Sequence, residues 1–405
     1  MKTHVSEPLF PHLQYCTRCC IPETQEGVKF DEMGICQACQ SSEQKIHINW
    51  VEREKQLSTI LEEAKSKAGD NYDCILPISG GKDSAFQMHV LTKVYGMKAL
   101  GVTYAHNWWS ETGWYNLQNA LEAFNMDHIV FTPNRALINR IAKKSVEEIG
   151  DTDWNGHAGA GSFPLQVAVK WNIPLLVWGE SLAENSGRAT YEDPVHKFDR
   201  DYFLKQSQKK GIEEMVDGTR LTAKDLNHFL VPSVEEIEKS GVWGLHLGDY
   251  LFWDDERQVE FLRDTYGWRE TQMEGAYKRY KSAEDIISGM HDFTCYLKRG
   301  YGRATEQASL DVRNGLLTRD EAFELIRKHD PERPQALDYY LAITGTTEEE
   351  FFEDMKKIRL PQLKDVEVPV HPKNHVNEER ILPFPEQLIG KFNHTASKRN
   401  YIDRF

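Results

Sequence analysis

Six residues, Ser79-Gly80-Gly81-Lys82-Asp83-Ser84, join a short apolar run at residues 74–78 to an amphipathic stretch at residues 83–95. The apolar run predicts a buried β-strand, and the stretch after it predicts a helix. Two adjacent glycines allow a tight turn between them, because neither carries a Cβ. This strand-to-helix junction favours an α/β fold over an all-helical or an all-β fold.

The same alternation continues through the middle of the chain. We predict further strands at residues 99–104, 128–131 and 175–178. We predict further helices at residues 50–67, 114–124, 134–149 and 162–171. Short apolar strands separated by helices predict a parallel sheet with helices on both faces. Ligands of such sheets bind beyond the carboxyl ends of the strands, where the polar segments 79–84, 105–111 and 179–188 fall.

The chain divides into three predicted regions. Residues 1–48 form a cysteine-rich module, residues 49–200 carry the α/β alternation, and residues 201–405 are mainly helical with an extended, proline-rich end from residue 360. We predict helices in this last region at residues 233–240, 254–265, 282–290, 318–329 and 347–358. The predicted fold class is α/β, with a small N-terminal module and a mainly helical C-terminal region.

The 79–84 loop carries the groups that bind a phosphate chain. Its glycines let successive N–H groups point into one anion-binding concavity, and the following helix adds the positive end of its dipole. Lys82 adds a positive charge and Ser84 a hydroxyl donor, whereas Asp83 would hold Mg²⁺ or cap the helix. The spacing is not that of a Walker loop. An ordinary glycine-rich turn before a helix is the alternative.

Two CxxC pairs near the N-terminus predict a metal site. The pairs are Cys16 with Cys19 and Cys36 with Cys39, and sixteen residues separate them. This spacing is typical of zinc ribbons, and four thiolates would saturate Zn²⁺ in a structural site. Such a site would contribute on the order of 10 kcal/mol to local folding. Cys20 could replace Cys19 as a ligand, and the spacing is also compatible with a redox-active thiol pair or an iron–sulfur cluster.

Residues 291–303 are dense in functional side chains. Lys298, Arg299 and Arg303 could bind phosphates or a sugar carboxylate, since arginine pairs with planar anions in a bidentate manner. The alternative is a basic helix end followed by a glycine stop. Within the same segment, Cys295 is more simply a buried structural thiol than a nucleophile.

Two further segments have a functional and a structural interpretation. Trp108, Trp109 and Trp114 could stack on a base or sugar, or pack in the core. Residues 156–161, which include His157, predict a flexible loop before a helix, and a plain connection is favoured over a pocket wall.

The net charge of -14 argues against nucleic-acid partners, because proteins that grip polynucleotides usually present a basic face. No apolar run reaches the roughly 18 residues that span a bilayer. The N-terminal residues lack the layout of a signal peptide. We therefore expect a cytoplasmic protein with neither nucleic-acid nor membrane partners.

The 79–84 loop resembles the PP-loop of the N-type ATP pyrophosphatases, which holds the β,γ-pyrophosphate of ATP while cleavage falls between the α- and β-phosphates. The resemblance implies an adenine nucleotide alpha hydrolase-like domain, catalytic roles for Lys82, Asp83 and Glu180, and Mg²⁺ on Asp83. It also implies cofactor contacts from Ser79, Gly80, Gly81, Lys82, Asp83, Ser84, Thr103, Gly179 and Asn185. Thr103 is assigned to the adenine edge by position alone, and a solvated loop would resemble residues 178–187.

A larger set of motifs narrows the resemblance. The set comprises Tyr15-Cys16-Thr17-Arg18-Cys19, Cys36 with Cys39, the 79–84 loop, Trp178-Gly179-Glu180 and residues 291–303. Together they resemble the N-acetyl sugar amidotransferases of bacterial surface-glycan synthesis, the WbpG/PseA type, to about residue 360. That family adenylates the acetamido group of a nucleotide-linked mannuronate derivative, or of a nonulosonic acid such as pseudaminic or legionaminic acid. Ammonia then displaces AMP to give an acetamidino sugar.

The resemblance also implies cofactors and partners. The cofactors are ATP, Mg²⁺ and Zn²⁺, and the glycan is a lipopolysaccharide O-antigen, a capsule or a flagellin glycan. The ammonia would come from a HisH-like glutaminase through a HisF-like partner. Two alternatives stay open: a PP-loop tRNA-modifying enzyme of the thiolation or lysidine type, which the acidic charge disfavours, and a nucleotide-sensing subunit that binds ATP without turnover.

Overall fold

A five-stranded parallel sheet lies at the centre of the described chain. The computed structural model describes residues 7–185, 191–192, 200–203, 209–216 and 221–372. The strands are β1 Cys74–Pro77, β2 Ala99–Tyr104, β3 Asp127–Phe131, β4 Leu175–Trp178 and β5 Trp243–His246. Their order across the sheet is β3-β2-β1-β4-β5, and every neighbouring pair is parallel. The predicted parallel α/β sheet is therefore confirmed, and it extends through β5 beyond the predicted boundary at residue 200.

The strand order reverses at β1. This strand pairs with β2 on one side and with β4 on the other, so that Ile75 lies opposite both Leu100 and Leu176. The segments that follow β1 and β4 therefore leave neighbouring strands toward different sides of the sheet. A crevice forms at such a switch point, beyond the carboxyl ends of the strands. The two polar segments with the strongest sequence signals, after β1 and β4, flank this crevice.

Helices cover both faces of the sheet and form most of the C-terminal region. The helices before β5 are α1 Gln37–Lys45, α2 Trp50–Ala68, α3 Lys82–His89, α4 Glu111–Phe124, α5 Arg135–Ile149, α6 Trp154–Trp171, α7 Leu182–Asn185, α8 Arg200–Phe203, α9 Ile212–Val216 and α10 Val234–Ser240. Those after β5 are α11 Asp255–Tyr266, α12 Ser288–Arg299, α13 Arg303–Arg313, α14 Arg319–His329, α15 Gln335–Thr344 and α16 Glu348–Lys357. A π-helical turn, Val90–Val94, continues α3. The mainly helical C-terminal region is thus confirmed up to residue 372, and the rest of the predicted extended end lies outside the described residues.

Local capping explains several of the helix boundaries. Thr318 and Thr347 each form a capping box with the glutamate three residues later, so α14 and α16 begin where the sequence predicts. Gly300 ends α12 with φ 76°, in the left-handed region that favours glycine. The helix predicted at residues 282–290 is wrong in its start, because α12 begins only at Ser288.

The loop predicted at residues 156–161 is also wrong, because these residues belong to α6. Glycine is a poor helix former, which is why the sequence favours a loop there. In the structure Gly159 faces β2, and a Cβ at this position would lie 2.4 Å from the ring of Tyr104. The glycines therefore allow close contact between helix and sheet, and that packing outweighs their low helix propensity.

The buried ring of His228, which packs against β2 and β3, makes the stability of the fold depend on pH. The ring packs 4.9 Å from Phe131 and 5.9 Å from Tyr104, between ring centroids, and its Nε2 has no hydrogen-bond partner among the described residues. Burial lowers the pKa of His228 to about 4. Since the unfolded pKa is about 6.5, the unfolded chain takes up a proton first, and stability is lost as the pH falls from about 6.5 toward 4.

We expect His228→Phe to remove this acid-labile contribution. Between pH 7 and pH 5 the wild type should lose about 2 kcal/mol through this residue, whereas the variant should not. Urea denaturation at the two pH values measures the difference. The exposed His47, changed to Phe, is the control and should leave the pH response as in the wild type. Equal pH responses of His228→Phe and the wild type would contradict the assignment.

Candidate functional site

The 79–84 loop lies between β1 and the first turn of α3. Gly80 has φ 84°, and a Cβ at this position would lie 2.4 Å from the carbonyl oxygen of Gly113. The carbonyl of Gly80 accepts a hydrogen bond of 3.1 Å from Trp268 Nε1. The Ser84 hydroxyl donates to the Gly81 carbonyl over 2.9 Å. Glycine is thus required at residue 80 by both backbone conformation and space.

The segment after β4 lies directly beside this loop. A Cβ at Gly179 would lie 3.2 Å from the indole of Trp253 and 3.4 Å from Cβ of Asp83. The next residue, Glu180, places its carboxylate close enough to Asp83 for a hydrogen bond between the two side chains. The structure therefore brings together Lys82, Asp83, Gly179 and Glu180, which the sequence places on two separate segments.

Five charged side chains form an ionic cluster at this point: Lys82, Asp83, Glu180, Asp255 and Lys281. Lys82 Nζ donates to Asp255 Oδ1 over 2.7 Å and also pairs with Asp83. Lys281 Nζ lies 2.8 Å from Asp255 Oδ2 and 3.2 Å from Glu180 Oε1. Asp255 thus bridges the two lysines, and the cluster contains three carboxylates and two ammonium groups.

The pKa values of the two carboxylates that flank the crevice are shifted in opposite directions. Burial, followed by the charge of Glu180, raises the pKa of Asp83 to about 7. Burial also acts on Glu180, but the charges of Lys281 and Lys82 outweigh it and lower the pKa of Glu180 to about 2. Carboxylate oxygens are the ligands that Mg²⁺ takes, so Asp83 and Glu180 are residues that could hold such an ion.

Asp255 and Lys281 are members of the cluster that the sequence does not indicate. Asp255 begins α11 within the acidic run 254–256, which by itself indicates only a helix start. Lys281 lies in a segment without regular secondary structure, which does not directly follow a strand. Only the tertiary fold places either residue beside the 79–84 loop.

A cavity of about 450 Å³, the central cavity, extends from the 79–84 loop under the C-terminal helices. Ser79 lies at one end, and the Ser79 hydroxyl donates to Glu284 Oε1 over 3.0 Å. The charged and polar residues of its wall include His106, Asp153, His157, Asp285, His291, Asp292, Cys295, Arg303 and Glu306. The cavity therefore connects the crevice at the switch point with the 291–303 segment.

The three basic residues predicted to bind substrate lie in different places. Arg303 lines the central cavity and pairs with Asp292 Oδ2 over 2.7 Å. Lys298 donates to the Ile149 carbonyl over 2.5 Å, and burial lowers its pKa to about 8. Arg299 pairs with Glu26 at 3.2 Å. Lys298 and Arg299 thus lie outside the cavity wall, in the last turn of α12. For these two residues the structure favours the alternative interpretation, a basic helix end.

Asp151, His157 and His291 form a group beside the central cavity, and the two histidines line the cavity wall. His291 Nδ1 lies 2.8 Å from Asp151 Oδ1, and the Lys209 ammonium lies 3.0 Å from Asp151 Oδ2. The ligand atoms of the three residues are within 4.8 Å of one another, a spacing that could hold a metal ion. Both Asp151 oxygens already accept hydrogen bonds, however. This favours a role of Asp151 in orienting the His291 ring over a role as a metal ligand.

Several predicted contacts fall elsewhere. Thr103 is buried within β2, and its hydroxyl donates to the Ile78 carbonyl over 2.6 Å, so it offers no surface to a ligand. The side chain of Asn185 lies outside the described residues. Cys295 lines the cavity, but burial raises its pKa to about 12 and keeps the thiol protonated, which disfavours a nucleophile. Trp108 and Trp109 pack in the core, and Trp114 is exposed.

Four buried cysteines, Cys16, Cys19, Cys36 and Cys39, converge in the N-terminal module. The Sγ atoms of Cys16 and Cys39 are 3.8 Å apart, and those of Cys19 and Cys36 are 3.7 Å apart. In a tetrahedral site with metal–sulfur bonds of about 2.3 Å, the sulfur atoms are about 3.8 Å apart. The group could therefore hold a metal such as zinc. The adjacent Cys20 faces away, toward the Arg319 carbonyl.

The C-terminal region matches a known family. Residues 274–369 match the profile described as "LPS biosynthesis protein WbpG-like, C-terminal domain". This part of the chain is similar to that domain. The matched region contains α12 to α16 and contributes Lys281 to the ionic cluster and Arg303 to the central cavity. No curated protein matches the chain. Among the described residues, no helix is long and apolar enough to cross a membrane.

Proposed function

We propose that the protein is an ATP-dependent amidotransferase that converts the acetamido group of a sugar into an acetamidino group and releases AMP and pyrophosphate. One observation carries the proposal: the 79–84 loop, whose Lys82 and Asp83 belong to the ionic cluster, adjoins the central cavity at Ser79. A loop suited to phosphate would thus lie beside a pocket suited to an acceptor. The WbpG-like match adds support for a role in lipopolysaccharide synthesis.

The chemistry begins with a poor electrophile, since an amide carbonyl resists attack by ammonia. In the first step the amide oxygen attacks the α-phosphorus of ATP, the bond to the bridging oxygen breaks, and pyrophosphate leaves. The amide nitrogen loses its proton, and an adenylated imidate remains. Ammonia then adds to the imidate carbon, the carbon–oxygen bond to AMP breaks, and the amidine takes up the proton.

The residues of the site would act mainly by positioning and charge neutralisation. The 79–84 loop would hold the β- and γ-phosphates, and Lys82 with Lys281 would offset the charge that develops on the leaving pyrophosphate. Mg²⁺, held by Asp83 and Glu180, would supply further neutralisation. Arg303 would contact the acceptor in the central cavity.

Ammonia delivery and location complete the proposal. By resemblance, a HisH-like glutaminase and a HisF-like channelling protein would supply the ammonia, and the reaction would take place in the cytoplasm, where ATP and nucleotide sugars are made. Free ammonium should replace both partners in an assay if the described cavity is the site of amidine formation.

The test is to incubate the protein with ATP, Mg²⁺, ammonium and a panel of acetamido sugars that includes nucleotide-linked and nonulosonic acids. We expect AMP and pyrophosphate in equal amounts, together with a sugar in which NH replaces oxygen, as measured by mass spectrometry. Formation of ADP and phosphate would contradict the proposal. ATP binding without AMP for every acceptor would favour a sensing subunit, and tight, salt-sensitive tRNA binding would favour a tRNA-modifying enzyme.

A further inference from the structure

Helix α1 connects the cysteine module to the residues beside the 79–84 loop. Cys36 is its N-cap, Cys39 lies in its first turn, and Lys45 is its last residue. The Lys45 side chain is buried, with 6% of the residue exposed. Its Nζ donates to the carbonyl of Trp253 over 2.5 Å and lies 4.2 Å from the ring centroid of Phe252. A buried ammonium in such surroundings fixes the backbone that it contacts, because leaving either group unpaired is costly.

Trp253 is the next link toward the ionic cluster. Its indole Nε1 lies 3.3 Å from Asp83 Oδ1 and donates to it. The same indole lies against Gly179, and its ring is edge-on to Phe86 of α3 at 5.4 Å between centroids. Among the described residues, Trp253 is therefore one of two groups, with Lys82, that donate to Asp83 Oδ1 and help to hold this carboxylate in place at the crevice.

The other carboxylate is braced from the same helix. Helix α7 begins two residues after Glu180, and α1 packs against α7. Ser181 lies in sequence between Glu180 and α7. Its hydroxyl donates to Asp249 Oδ1 over 2.7 Å and fixes the start of α7. The cysteine module thus reaches Asp83 through Lys45 and Trp253, and Glu180 through α7.

We propose that Lys45 is a positioning residue, which couples the four-cysteine module to Asp83 through Trp253 and thereby sets the affinity of the site for Mg²⁺ and ATP. The inference rests on the proposed ATP site. It assigns to the module a role in aligning the crevice, beyond holding its own fold. Lys45 does not line the central cavity.

The test measures ATP binding by calorimetry as a function of Mg²⁺ concentration in the full chain. Lys45→Met keeps most of the aliphatic stem and removes the ammonium, and Trp253→Phe keeps an aromatic ring and removes the Nε1 donor. We expect each variant to need about tenfold more Mg²⁺ for half-maximal ATP binding, the effect of losing one hydrogen bond to a charged group. Both should keep the metal content of the module. Gln44→Met, at an exposed neighbour on α1, should bind as the wild type.

The double variant decides whether Lys45 acts through Trp253. If it does, the shift in Mg²⁺ requirement of the double variant should be smaller than the product of the single shifts. Multiplicative shifts, or a lowered melting temperature with unchanged Mg²⁺ requirement, would overturn the inference. If Lys45→Met does not fold, an unchanged Mg²⁺ requirement in Trp253→Phe overturns it as well. Failure of the wild type to bind ATP would instead refute the proposed function.

Discussion

Cys19→Ser is expected to abolish metal binding in the N-terminal module and to unfold helix α1, whereas Cys20→Ser is expected to do neither. Cys19 Sγ lies 3.7 Å from Cys36 Sγ within the four-cysteine group, and Cys20 Sγ faces the Arg319 carbonyl. The metal contributes on the order of 10 kcal/mol to such a module, whereas a typical hydrogen bond contributes only about 1 kcal/mol. Zinc content of the purified variants, together with thermal unfolding, measures the effect.

The loss should reach the C-terminal helices. Arg319 of α14 donates to the carbonyls of Cys16 and Cys19, each over 3.0 Å, so a displacement of these cysteines would disturb α14 as well. We therefore expect Cys19→Ser to lower the melting temperature of the whole chain. A chelator added to the wild type should reproduce this shift. Retention of one equivalent of metal by Cys19→Ser, or its loss from Cys20→Ser, would contradict the ligand assignment.

The sequence predicted the strands that appear as short, mainly apolar runs between helices. Strands β1 to β4 are short apolar runs between helices, and the sequence placed each of them within one residue of its observed bounds. Strand β5, Trp243–His246, is interrupted by a glycine and ends in a histidine, so its pattern does not differ from that of a loop. It is a strand because β4 offers an unpaired edge, which is a tertiary cause.

The site residues also divide into those that local sequence predicts and those that only the tertiary fold brings into place. The residues of the 79–84 loop and Gly179 and Glu180 follow predicted strands, and the rule for parallel sheets places them together. Asp255 and Lys281 come from segments that lie far along the chain and follow no strand of the switch point. Lys298 and Arg299 are the opposite case, since the sequence indicates them as site residues and the structure places them elsewhere. A basic pattern at a helix end does not show whether the charges face a cavity or a backbone carbonyl.

Lys281→Met should reduce kcat/KM for ATP by about 10²–10³. Lys281 pairs with Asp255 and Glu180, and the charges of Asp255, Glu180 and Asp83 raise its pKa well above the usual value despite its burial. Without it, Lys82 alone would face three carboxylates and the departing pyrophosphate, so charge on the leaving group would be less well neutralised. Removal of one preorganised electrostatic group costs about this much in other enzymes. The rate of AMP formation measures the change.

The control for this prediction comes from the same segment. Arg279 is exposed and contacts Gln272 at 3.0 Å, so Arg279→Met removes a nearby positive charge without touching the ionic cluster. It should retain the wild-type rate. Lys281→Arg should recover part of the activity, because the charge returns while the geometry of the ammonium does not. Equal rates for Lys281→Met and Arg279→Met would show that Lys281 does not act in the site.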